Sequence, residues 1–211
     1  MPINPRSARR AAAFASTAVL ALALVACVAE PDGSDAPASS VSLAATALPT
    51  PGRTIDATPT AAPDLTGYRI AVVVGDESEA SQTLLTAARD VAASSGAELV
   101  EFPAAAAGED PVGDAFAEAV GAESDLIVGL GEGVVPVFDF ETGKILDQEV
   151  LLIGAQLAEP TANVTSVIWP GATSRDTADD DGVTVDRGVD ALGAGIASIR
   201  DGVSGVVLSL D

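Results

Sequence analysis

Asp76, Gln156, Trp169 and Arg175 are the side chains best placed to hold a small ligand, because each follows an apolar run that reads as a strand. In open α/β sheets ligands collect at the carboxyl ends of the strands. Trp169, the single tryptophan, offers a stacking face, and Arg175 offers a partner for an anion or carboxylate. The plainer reading is a tryptophan that closes the edge of the core and an arginine that neutralises neighbouring aspartates. The chain has no histidine. That removes Ser-His-Asp and Cys-His catalysis and the usual zinc sites together. The expectation is a protein without catalytic residues, metal or cofactor. Its rival is a carboxylate- or metal-dependent envelope enzyme using Asp76 and Glu77 or the Asp179–Asp181 cluster.

Three further patterns fail on their spacing or setting. Gly129-Leu130-Gly131-Glu132-Gly133 invites a dinucleotide reading, yet the third glycine of that fingerprint falls on Val134 and the loop follows the third expected strand, not the first. Asp176, Asp179, Asp180, Asp181 and Asp186 suggest a calcium loop. With Gly182 as its turn glycine, however, Thr177 takes position one and Gly188 position twelve, so the ligands are wrong. A solvated acidic loop is the better reading. Asn163-Val164-Thr165 fits a glycosylation acceptor by pattern but sits in an expected buried strand.

Cys27 is the only thiol, and it stands directly behind Leu24-Val25-Ala26. Arg6, Arg9 and Arg10 form a positive leader, and Ala11 to Ala26 an apolar stretch that ends in small residues. A plain secretory signal closes in small residues alone; here the residue after the cut is the sole cysteine. This arrangement resembles a bacterial lipobox, which implies a thiol that takes a diacylglyceryl group and becomes residue one of the mature chain. The competing readings are an incidental thiol and an uncleaved anchor. A spanning helix wants about 20 predominantly apolar residues, whereas this run is alanine-rich and broken by Ser16 and Thr17. Two acyl chains hold a protein firmly to a bilayer where one does not. The expected address is therefore the extracytoplasmic face of the cell membrane, with the membrane as a partner through Cys27.

Losing residues 1–26 removes three of the ten basic residues and none of the 31 acidic ones, which leaves seven against 31, a net charge of −24. Such a balance repels nucleic acid and anionic lipid, so no nucleic-acid partner is expected. Residues 28–64 are rich in Ala, Pro, Ser, Thr and Asp, with prolines at 31, 37, 49, 51, 59 and 63. They carry no hydrophobic period and read, with Cys27, as a lipidated disordered tether over 27–64. At about 5–6 Å × √n the 37 residues of 28–64 span roughly 30–35 Å.

From Leu65 the texture changes. Tyr68 to Gly75 is a near-continuous β-branched run, the mark of a strand buried on both faces of a parallel sheet. Ser78–Ser95 follows as a helix stopped by Gly96, then a strand at Glu98–Phe102 and a helix at Pro111–Val120. Further strands are expected at Asp125–Gly129, Val150–Gly154, Asn163–Trp169 and Gly205–Leu210, with a short helix before Leu146 and a long one at Asp186–Arg200. Strands alternating with helices make βαβ units. The expected fold is one α/β domain over 65–211, Rossmann-like or flavodoxin-like, three layers around a mainly parallel sheet.

Tyr68 to Asp76 with the helix to Gly96-Ala97-Glu98-Leu99, Asp125 to Gly131, Asp147 to Gly154, Asn163 to Val167, and Gly188 to Gly193 together resemble one lobe of the substrate-binding lipoproteins of ABC importers. The likeness is nearest to the basic-membrane-protein (BMP) branch, whose members bind nucleosides and related small solutes. It implies one lobe of a type I periplasmic binding protein, a small solute as ligand, and an ABC permease or other envelope protein as partner. The family has two lobes where this sequence supplies one. It opens its first helix with Ser-Phe-Asn where this chain has Glu79-Ala80-Ser81, and it lacks the acidic insertion Asp176–Val185. No family ligand residue carries over. The expectation is a single-lobe solute-binding or accessory module; an interaction module without a small ligand would share the same fold.

Overall fold

Arg69-Ile70-Ala71-Val72-Val73-Val74 is the strand from which the sheet is built outward on both sides (β2, Arg69–Val74). The computed structural model describes residues 50–105, 107–175, 177 and 179–211. Successive side chains of β2 point to opposite faces: Ile70, Val72 and Val74 enter one core, Ala71 and Val73 another. The other central strands divide in the same way, β4 (Leu126–Leu130) and β5 (Val150–Ile153). Leu126, Val128, Leu151 and Ile153 face the first core, Ile127, Val150 and Leu152 the second. That is why these strands read as unbroken apolar runs and not as alternations.

The remaining elements are β1 (Thr54–Asp56), α1 (Glu79–Ser95), β3 (Glu98–Pro103), α2 (Pro111–Gly121), α3 (Val135–Glu141), β6 (Val164–Ile168), α4 (Val185–Arg200) and β7 (Val207–Ser209). All seven strands are parallel, in the order β1-β7-β6-β5-β4-β2-β3. α1 and α4 pack on one face, α2 and α3 on the other. This is the expected three-layer α/β domain. Its winding direction reverses at β2, which has β3 on one side and β4 on the other.

The helix ends follow local chemistry. Ser78 caps α1, its hydroxyl accepting from the Ser81 amide at 3.2 Å, and Gly96 ends it at φ 79°, where its N–H reaches the Ala92 carbonyl. Asp110 caps α2 with Pro111 in its first turn, and Thr184 caps α4. Around α3, single 3₁₀ turns at Glu132–Val134 and Thr142–Lys144 explain the weak sequence pattern before Leu146. Asn163 is structural: its buried amide donates to the carbonyls of Thr142, Ile145 and Gln148, pinning that turn beneath β6.

One expectation needs correction. The domain does not begin at Leu65. Thr54, Ile55 and Asp56 pair with Val207, Leu208 and Ser209, so a segment assigned to the tether is the edge strand beyond β7. The Gly52 amide donates to the Gly205 carbonyl and the Ala57 amide to that of Ser209. Ile55, Ala57 and Ala62 pack against the first core. The strand was hidden because it is three residues long with a single large apolar side chain, and its exposed flanks are polar, as edge strands require. Cys27, the leader and the tether up to residue 49 lie outside the described residues.

Candidate functional site

The turns after β2 and β4 meet backbone to backbone at the point where the winding reverses. A Cβ on Gly75 would lie 2.6 Å from the carbonyl carbon of Gly133, which no side chain tolerates. Gly131, at φ 70°, turns the chain out of β4. The glycines of this loop therefore serve a close crossing, and no helix suited to a dinucleotide phosphate follows them: α3 is seven residues long and has no side-chain cap.

Asp76 leaves this crossing at the amino end of α1. Its Oδ1 accepts from the Ser78 amide at 2.9 Å and from the Ser78 hydroxyl, and that hydroxyl is 3.0 Å from the hydroxyl of Ser81. Burial opposes ionisation of Asp76, but the hydrogen bonds from Ser78 and Ser81 outweigh it and hold the carboxyl below its ordinary value. Asp76, Ser78, Ser81 and Glu132 form the polar rim of a hollow of about 120 Å³. Leu84, Gly154, Ala172 and Val183 supply its apolar lining. The hollow stands at the carboxyl ends of β2, β4 and β5, the switch point at which open α/β sheets take ligands. Its volume is below the roughly 300–1,000 Å³ usual for a drug-sized ligand, so it fits a small fragment or part of a larger solute.

The other sequence candidates do not join Asp76. Trp169 is 1% exposed and offers no stacking face to solvent. Its indole N–H donates to the Gly182 carbonyl at 3.1 Å, and its six-membered ring lies against Gly154, behind the hollow. The turn that ends at Gly182 thus lies over the indole at the edge of the core. Of the acidic segment, the 3₁₀ turn Asp180–Gly182 is seen, whereas Asp176 is outside the described residues. Gln156 and Arg175 lie together elsewhere, beyond β5 and β6. The Gln156 amide donates to the Thr173 carbonyl at 2.9 Å, and the Arg175 guanidinium makes a long contact, 3.4 Å, to the Leu157 carbonyl. Both residues line two adjoining depressions of about 450 and 230 Å³. One imagined cleft is therefore two sites. Among the described residues no three His, Cys, Asp or Glu side chains are grouped to hold a metal, and no helix is long and apolar enough to cross a membrane.

No protein-family model matches the chain, and no curated protein matches it. Among solved structures it is similar in part to an ABC transporter solute-binding protein from Aeropyrum pernix K1. The two are 21% identical over 49% of this chain and 29% of that one, with a TM-score of 0.41. The Lac repressor bound to ONPG in its repressed state is 11% identical over 68% of this chain and 48% of that one, TM-score 0.36. A LacI-family transcriptional regulator from Weissella paramesenteroides with bound sucrose is 14% identical over 66% and 57%, TM-score 0.35. The chain spans less than two thirds of each of these proteins. These partial likenesses carry none of those ligands to this chain.

Ser78 and Ser81 were legible only as the start of a helix; their role in holding Asp76 follows from the turn. Ser174 carried no sequence signal at all. It is one of two non-glycine residues described with positive φ, at 57°, and its buried hydroxyl has no hydrogen-bond partner.

Proposed function

We propose that this protein is a non-enzymatic binding module of the cell envelope, anchored at Cys27 to the extracytoplasmic face of the membrane, that takes a small solute at the Asp76 hollow. The observation that carries this reading is the hollow's position and chemistry. An ionised carboxylate, fixed by Ser78 and Ser81, rims an apolar floor at the switch point of a doubly wound sheet. A fixed anion in a strongly acidic chain selects neutral polyols or amines over anions. The sequence resemblance to one lobe of BMP-type solute-binding lipoproteins supports the same reading and supplies its finer form, a nucleoside-like solute and an ABC permease as partner.

A hollow this small leaves most of a nucleoside-sized ligand in water. Binding by the monomer is therefore weak, around millimolar, about −4 kcal/mol. Trp169 is the reporter, because its ring touches Gly154 in the hollow's lining. The test is a fluorescence titration of the full chain with nucleosides, polyols and small amines, repeated for Asp76→Asn. A saturable change that Asp76→Asn removes supports the reading. No response to any solute, or a response indifferent to Asp76→Asn, overturns it.

A further inference from the structure

Arg175 is the starting point of a second site. The chain carries 31 acidic residues, yet among the described residues no carboxylate oxygen lies within 4 Å of this guanidinium. Arg69, Arg89 and Lys144 each hold a glutamate, at 3.0, 2.7 and 2.8 Å. Among the described residues the one hydrogen bond of the Arg175 side chain is the long one to the Leu157 carbonyl, which leaves most of its five donors free of described partners. Next to it stands Ser174, in the left-handed region that a side chain rarely adopts, with its hydroxyl buried and unpaired.

The surroundings define that ligand. Arg175, Ser174 and Gln156 line the 230 Å³ depression together with an apolar wall of Val135, Leu157 and Ala158. A guanidinium fork fits a carboxylate with two parallel hydrogen bonds. One positive charge in a chain of net charge −21 suits a monoanion better than a dianion. The apolar wall suits a short alkyl chain. We propose that this corner binds short-chain monocarboxylates, with Arg175 on the carboxylate and Val135 and Ala158 along the hydrocarbon. The site is separate from the Asp76 hollow and does not depend on it.

The test uses the full chain and sodium butyrate at constant ionic strength, read by the arginine Nε–H resonances and by the unfolding midpoint. Butyrate is expected to shift one arginine resonance saturably and to raise the midpoint, while sodium chloride and inorganic phosphate do neither. Arg175→Gln should weaken binding at least tenfold, and Arg175→Lys should recover only part of it because the fork is lost. Asp76→Asn should leave butyrate binding unchanged. A butyrate response equal to that of chloride, tighter binding of phosphate, or unchanged affinity in Arg175→Gln overturns the proposal.

Discussion

Gly193 in α4 and the carbonyl oxygen of Thr60 share a space that a Cβ on residue 193 would fill. The strap that follows β1 thus lies directly on the helix backbone, and a missing side chain permits it. Glycine inside a helix normally costs about 1 kcal/mol relative to alanine. At this position the sign should reverse: Gly193→Ala forces the strap off α4 and destabilises by about 1–3 kcal/mol. For a domain of this size each kcal/mol moves the midpoint by about 2–4 °C. Gly121→Ala, at the end of α2 with open space around it, should show the ordinary gain. Thermal unfolding of both variants decides the matter; a stabilised Gly193→Ala would show that the strap does not rest on the helix.

A chain that begins at Leu65 should be less stable than one that begins at Thr50. It loses the β1–β7 pairing and the apolar contacts of Ile55, Ala57 and Ala62, and leaves β7 as an open edge. Each ladder hydrogen bond is worth about 0.5–1.5 kcal/mol net. The loss of several, with the packing, should lower the midpoint by more than about 8 °C. Circular dichroism of the two chains is the measurement, and equal midpoints would remove β1 from the folded sheet.

Those two experiments bear on what the sequence shows and conceals. β2, β4, β5 and α1 were readable because a strand buried on both faces and an amphipathic helix between a serine cap and a glycine stop write their physics in consecutive residues. β1 was not, because an edge strand of three residues is stabilised by its partner's backbone and leaves almost no hydrophobic trace. At the site, Asp76 was legible as a polar group at a strand end. That Trp169 would turn inward depended on the distant Gly182 carbonyl, and the strain at Ser174 on tertiary closure of its loop. Neither is a property of neighbouring residues.

Glu149 makes the protein's stability depend on pH in an unusual direction. Burial raises its pKa above the ordinary 4.5, more than the Ser204 hydrogen bond lowers it, and one carboxyl oxygen is buried without a partner. A folded-state value above the unfolded one favours the protonated fold. This contribution is full below the unfolded pKa and is lost as pH rises through the folded one. Glu149→Gln should therefore be more stable than the parent at pH 7 and lose that advantage by pH 4. Urea unfolding at the two values checks it, and an advantage that persists at pH 4 would assign the effect to packing instead of charge.

Cys27→Ala tests the proposed anchor. If the thiol takes a diacylglyceryl group, the variant should lose labelling by a fatty-acid probe, stay uncleaved as the larger precursor, and run as such on a denaturing gel. The parent should partition with membranes and be released by detergent and not by high salt, since acyl burial is worth about 0.8 kcal/mol per methylene and is not screened. A Cys27→Ala variant that is still labelled and processed would end the lipoprotein reading, while leaving the binding site untouched.

Gly133 is the control point for the charge on Asp76. A Cβ at residue 133 would run into the Asp76 carboxylate, while the φ of Gly133 is one that alanine adopts without strain. Gly133→Ala should consequently swing the carboxylate away from Ser78 without breaking the crossing. Gly75→Ala, whose Cβ meets the Gly133 backbone, should cost far more stability. Hydrogen bonds from Ser78 and Ser81 keep the Asp76 pKa below 3.8 against the opposing effect of burial. Their stabilisation is present above the unfolded pKa and fades as pH falls through the folded one. With those bonds broken, the Asp76 pKa in Gly133→Ala should rise, and the variant's stability deficit at pH 7 should shrink at pH 2–3. Carbon NMR of the Asp76 carboxyl across this range follows the first effect, and urea unfolding the second. A Gly133→Ala variant that keeps the lowered pKa yet loses solute binding would place the function of the loop in the shape of the hollow and not in its fixed charge.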